Sequence, residues 1–211
     1  MRVMHIIPSA FEYFKDIKQE AFALAEEIEK LEEVEEPVKS EAVTLQYSAP
    51  TRAEKFEVAS IAPEKKYQGE RPVAEIINQF AEYDVVHLHA PFMGNGGMLK
   101  KWKEQNPVHP FVITYYRDVL LPDFFAYIFK WYNAYYLPKL FHLADAVTCF
   151  SLVDFNKSLG AKYLRDEDKL FPLWDIAGES NIHLTEGENK VKLERRKVAA
   201  FMLYQIYNSL L

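Results

Sequence analysis

Two histidines, His87 and His89, stand two residues apart in the run Asp84-Val-Val-His-Leu-His-Ala-Pro-Phe92. Imidazole is the side chain whose ordinary pKa lets it take or release a proton near neutrality, and it is also the commonest metal ligand. In an extended strand, residues two apart face the same side. No cysteine or carboxylate stands close by in sequence to act as a third ligand, so the pair is read without a metal. His87, mid-strand, reads as a core histidine. His89, one position from the strand end, reads either as a substrate-binding residue or as core. Gly94, Gly96 and Gly97 follow at once. They let backbone approach a ligand closely, or they simply form a turn.

The elements that would position these residues alternate between strand and helix. Val85, His87 and His89 alternate with Val86, Leu88 and Ala90, so both faces carry bulk, as in a parallel strand covered on both sides. Upstream, Arg2 to Ile7 reads as a strand, Gln19 to Leu31 as an amphipathic helix and Ala42 to Tyr47 as a second strand. Glu57 to Ile61 is a further strand candidate inside an otherwise charged connection. Pro72 opens a helix through Phe80. Beyond the histidines come helix Met98 to Gln105, strand Pro110 to Tyr115, helix 122–143, strand Asp145 to Phe150, helix Leu152 to Leu164 and strand Lys169 to Leu173. This order implies an α/β fold, a Rossmann-like doubly wound parallel sheet with helices on both faces. Ligands of such sheets gather beyond the carboxyl ends of the strands, which places a cleft near Ile7, His89 and Tyr116.

Composition narrows the class. The 211 residues are 49% hydrophobic and 27% charged, with a formal charge of −6. That balance speaks against a nucleic-acid partner, which needs an excess of Lys and Arg. The acidity is local, with 11 acidic against 4 basic residues in 12–41. The single cysteine, Cys149, reads as a small core residue. Without a charged-then-apolar leader, a reducing, cytoplasmic location is expected. A nicotinamide cofactor is not expected, because Pro8-Ser-Ala-Phe11 follows the first strand where a Gly-x-Gly-x-x-Gly turn would be needed.

Two helices stand out. Helix 122–143 is aromatic nearly all round, with Phe124, Tyr127, Phe129, Trp131 and Tyr135 among its residues. Part of it is expected to form an exposed apolar patch that drives homo-oligomerisation or peripheral membrane contact; the alternative is core packing. Lys190 to Leu211 reads as a helix packing back on the domain through Val198, Phe201, Met202 and Ile206. The chain thus divides into a domain at 1–180 and a linker with helix at 181–211.

The order of four blocks resembles the amino-terminal half of family-4 glycosyltransferases of the GT-B fold: Asp84 to Phe92, Ile113-Thr-Tyr-Tyr-Arg-Asp-Val119, Ala144-Asp-Ala-Val-Thr148 leading to Ser151, and Lys169-Leu-Phe-Pro-Leu173. The resemblance covers roughly residues 1–176. It implies an acceptor-binding domain, with His89 on the acceptor cleft and Arg117 and Asp118 matching the end of the family's Thr-Tyr-His-Arg-Asp segment. Tyr116 replaces that segment's histidine, and a phenol is a poor proton acceptor at neutral pH although it can position a sugar hydroxyl. Residues 9–18 lack the paired glycines that meet donor phosphates in the family. The expected function is therefore an acceptor-binding half that needs a separate donor-binding chain or domain for hexosyl transfer, with no cofactor of its own. The alternative is a non-catalytic binding or scaffold protein derived from such a domain.

Overall fold

A computed structural model describes residues 1–8, 14–32, 34–45, 77–92, 96–118, 125–174 and 188–211. Its centre is a six-stranded, all-parallel sheet. The strands are β1 (Arg2–Pro8), β2 (Lys39–Leu45), β3 (Val85–Ala90), β4 (Phe111–Tyr115), β5 (Ala146–Cys149) and β6 (Leu170–Pro172), in the order β2-β1-β3-β4-β5-β6. The chain thus leaves β1 toward one edge and returns to its other side, so the order reverses between β1 and β3. The ends near Ile7, His89 and Tyr116 lie on three adjacent strands, as expected. The expected strand Glu57 to Ile61 and most of the helix from Pro72 lie outside the described residues.

Pleat alternation sorts the strand residues onto two faces. Met4, Ile6, Val86, Leu88, Ile113 and Val147 face α2 (Gly96–Gln105) and α3 (Phe125–Leu143), packing with Leu99, Trp102, Leu140 and Phe141. Val3, Val85, Val112 and Ala146 face the opposite way, toward α1 (Lys15–Glu29) and α6 (Glu188–Leu210). This double cover explains why β1, β3, β4 and β5 are buried almost throughout.

Several boundaries differ from expectation for identifiable reasons. The segment after β5 forms two short helices, α4 (Leu152–Lys157) and α5 (Leu159–Tyr163). Ser158 interrupts them: its hydroxyl donates to the Phe155 carbonyl and accepts from the Ala161 N–H, capping α5. Helix α2 begins at Gly96, so Gly96 and Gly97 are helical. A Cβ on Gly96 would lie 2.7 Å from both Tyr132 Oη and Tyr136 Cγ. These glycines therefore serve the close approach of α2 to α3. Gly94 lies outside the described residues.

The aromatic helix is buried on one side only. Phe129, Leu137, Leu140 and Phe141 are buried, so Phe129 does not belong to a surface patch, and Phe124 lies outside the described residues. Tyr127, Trp131 and Tyr135 form an i, i+4, i+8 stripe, with Tyr127 75% and Trp131 66% exposed. Among the described residues, no helix is long and apolar enough to cross a membrane.

Helix α6 does pack back on the sheet, with Ile206 buried and Met202 packed against the core as expected but with Val198 and Phe201 turned outward. Ala199, Ala200, Leu203, Tyr204, Ile206 and Tyr207 are buried, whereas Val198 is 37% and Phe201 46% exposed. The two alanines let the helix lie close to the sheet. Arg196 fixes the rotation, donating to both carboxylate oxygens of Glu20 on α1 at 2.9–3.0 Å. Replacing Leu203 by Ala is expected to lower the unfolding free energy by about 2–5 kcal/mol and Phe201→Ala by less than about 1 kcal/mol. Urea denaturation of the two variants separates the faces; equal losses would contradict this docking.

Candidate functional site

On the α1/α6 side, one step along the strands from the valines, the sheet becomes polar. His5 on β1, His87 and His89 on β3, Thr114 on β4 and Thr148 on β5 share this face and are fully buried. A buried polar group needs a partner, and here the partners form two chains. Tyr207 Oη of α6 lies 2.6 Å from His87 Nδ1, His87 Nε2 lies 2.7 Å from Thr114 Oγ1, and that hydroxyl meets Thr148 Oγ1 at 2.6 Å. Separately, His5 Nδ1 lies 3.0 Å from His89 Nε2, and His89 Nδ1 lies 2.9 Å from Tyr116 Oη. The chains touch where His87 and His89 stack, ring centroids 4.3 Å apart. His5 Nε2 is buried without a hydrogen-bond partner.

Burial dominates the protonation of this band. It lowers the pKa of His5 to about 3 and holds those of His87 and His89 well below the usual imidazole range. Neighbouring imidazoles push His87 and His89 further in the same direction. All three are neutral at pH 7. Burial likewise raises the Tyr116 and Tyr207 phenols well above their usual range, with Glu20 adding to the effect on Tyr116.

Above the band opens a cavity of about 520 Å³ at the carboxyl ends of β4 and β5, closed on one side by the start of α1. Tyr116 belongs to both, lining the cavity with its ring while its hydroxyl meets His89. Phe150 and Trp174 add aromatic wall, their ring centroids 4.6 Å apart. Four carboxylates, Asp16, Glu20, Asp118 and Asp154, outnumber the cations Arg117 and Lys157 in the lining. Three of the four are held by named partners, Glu20 by Arg196 of α6. Asp118 accepts from the Tyr115 hydroxyl and the Leu159 N–H, which anchors α5 below the cavity. Asp16 pairs with Arg117 at 2.7 Å, an exposed bridge of small energetic weight.

Of the residues expected at a site, Tyr116, Arg117 and Asp118 come together on the cavity wall. His89 lies behind Tyr116, out of contact with solvent. Gly96 and Gly97 lie against Tyr132 and Tyr136. His5, Glu20 and Trp174 escaped the sequence reading. His5 is a lone histidine inside an apolar strand, where no spacing marks it; Glu20 looked like one more charge in an acidic helix. As a chemical unit, the cavity offers aromatic faces and hydrogen-bond acceptors. Among the described residues, the imidazoles beneath are the ones able to hold a metal, since a ring nitrogen from each of His5, His87 and His89 lies within 4.8 Å of the other two.

The buried histidines predict acid lability. Above pH 6.5 neither the folded nor the unfolded chain protonates them and they contribute no pH dependence. Below it the unfolded chain binds protons that the folded chain does not, down to the folded pKa, about 3 for His5. Stability should then fall by up to about 1.4 kcal/mol per histidine per pH unit, or about 4 kcal/mol for three. Denaturant titrations between pH 7.5 and 5 in the presence of EDTA should show this loss, and His89→Gln should reduce the slope by about one third; a flat profile would contradict the protonation states.

No protein-family model matches this sequence, and no curated protein matches it either, so the sheet, the cavity and the histidine band are the grounds on which its function rests.

Proposed function

We propose that the chain is the acceptor-binding half of a nucleotide-sugar-dependent glycosyltransferase and acts with a separate donor-binding chain or domain. The observation that carries this reading is the cavity lining: Tyr116, Phe150 and Trp174 beside Asp16, Glu20 and Asp154. A sugar ring presents C–H faces that stack on aromatic rings and hydroxyls that donate to carboxylates. An excess of carboxylates also repels a nucleotide diphosphate, which favours a neutral acceptor over a phosphorylated donor on this wall. The volume suits a small polar ligand. In this reading Tyr116 offers its ring as a stacking face, since its hydroxyl is turned to His89 and burial keeps it protonated. The strand-end position follows the general rule for ligands of open parallel sheets.

The alternative, a binding or scaffold protein that retains the domain without the chemistry, is favoured by the burial of His89, which leaves no imidazole from the band on the cavity surface. The two differ in whether sugar transfer appears when a donor-binding partner is supplied. For the chain alone, saturation-transfer NMR should detect neutral saccharides, and Trp174→Ala should abolish the signal. Calorimetry should show no binding of common nucleotide-sugars, and a donor-hydrolysis assay no turnover. Micromolar nucleotide-sugar affinity, or saccharide binding untouched by Trp174→Ala, would overturn this assignment.

The stripe on α3 supports self-association. Tyr127, Trp131 and Tyr135 present large amphipathic rings, stacked at 5.8 Å in the case of Trp131 and Tyr135, and such rings are enriched at protein interfaces. Sedimentation at micromolar concentration should show a dimer or larger species that Trp131→Glu converts to monomer. A wild-type chain that sediments as a monomer would argue against the contact.

A further inference from the structure

We propose that His5, His87 and His89 form a buried three-imidazole site for one divalent first-row transition metal of the zinc class. The three residues come from β1 and β3, the neighbouring strands between which the sheet order reverses, and parallel pairing brings His5 beside His87. One ring nitrogen from each lies within 4.8 Å of the others. His5 Nδ1 and His89 Nε2, 3.0 Å apart, stand close to the ligand–ligand separation of about 3.3 Å that tetrahedral geometry gives for Zn–N bonds of about 2.0–2.1 Å. In that pair a metal would replace the single proton now shared between two lone pairs.

The outer contacts of His87 and His89 also suit ligation, while His5 Nε2 has no hydrogen-bond partner among the described residues. A metal-bound imidazole is oriented by a hydrogen bond at its other ring nitrogen. His89 has this at Nδ1, which would donate to the Tyr116 hydroxyl once Nε2 is on the metal. His87 has a hydroxyl at each nitrogen, Tyr207 at Nδ1 and Thr114 at Nε2, so either nitrogen can coordinate while the other keeps its partner. The identity of the metal follows from the ligand set. Imidazole alone, without carboxylate or carbonyl ligands, suits Zn, Cu, Co or Ni and disfavours Mg or Ca. Cys149 belongs to the cluster on the opposite face of the sheet.

The full chain, purified from cobalt-supplemented culture, should carry one Co(II) per molecule with visible d–d absorption. Its proton NMR spectrum should show three paramagnetically shifted, exchangeable imidazole N–H signals, one per ligand. His5→Asn should abolish metal retention through dialysis, while His109→Asn, at a residue that precedes β4 and lies outside the three-imidazole cluster, should leave it intact. Absence of stoichiometric cobalt in the folded wild-type chain, fewer than three shifted signals, or full retention by His5→Asn would each overturn the site. Should His5→Asn fail to fold, the signal count on the wild-type chain decides.

Discussion

Hydrogen bonding between the sheet and α6 is the constraint on which the architecture depends. A sheet covered on both faces carries histidines and threonines at a cost unless their buried donors and acceptors find partners, and among the described residues of this band only His5 Nε2 has none. Thr114 and Thr148 satisfy one another, and His89 turns to Tyr116. His87 needs a group from outside the sheet, and Tyr207 supplies it from the last helix. Together with the Arg196–Glu20 pair, that contact sets the rotation of α6 and its distance from the strands. It also explains why the small residues Ala199 and Ala200, and not Val198 and Phe201, face the core.

A second consequence concerns Tyr116. Its ring separates the solvent-reachable cavity from the neutral imidazoles, so the cavity and the histidine band meet at one phenol. Glu20 is similarly shared, lining the cavity while receiving Arg196 from α6. The cavity wall is therefore built from the same contacts that hold α6 in place. Asp118 repeats the pattern at α5, where its carboxylate joins Tyr115 to the Leu159 N–H.

Much of the fold was legible in the sequence, because strands buried on both faces read as continuous apolar runs whatever their partners. The order of elements and the adjacency of the three strand ends followed. Ile206 and Met202 of α6 pack as expected, but Val198 and Phe201 were misplaced because bulk was given more weight than reach: they are greasier than Ala199 and Tyr207, yet only a small residue permits close docking and only a phenol answers a buried imidazole. The break at Ser158 was missed because a capping hydroxyl inside a helical pattern resembles an ordinary polar position. Of the site, the segment after β4 was visible. His5 was not, since a contact across neighbouring strands depends on which strands are neighbours.

The elements on the α1/α6 side are far apart along the chain, with Tyr207 meeting His87 across 120 positions and Arg196 meeting Glu20 across 176. Loops that long close late, because their entropy must be lost before the contact forms. During synthesis the strands and α1 emerge well before α6 does. Until that helix arrives, this face of the nascent sheet presents an apolar row beside the unpaired Nδ1 of His87, a surface open to water and to other chains. Completion of the hydrophobic core and removal of the histidines from solvent are thus a single late event in the folding of this molecule.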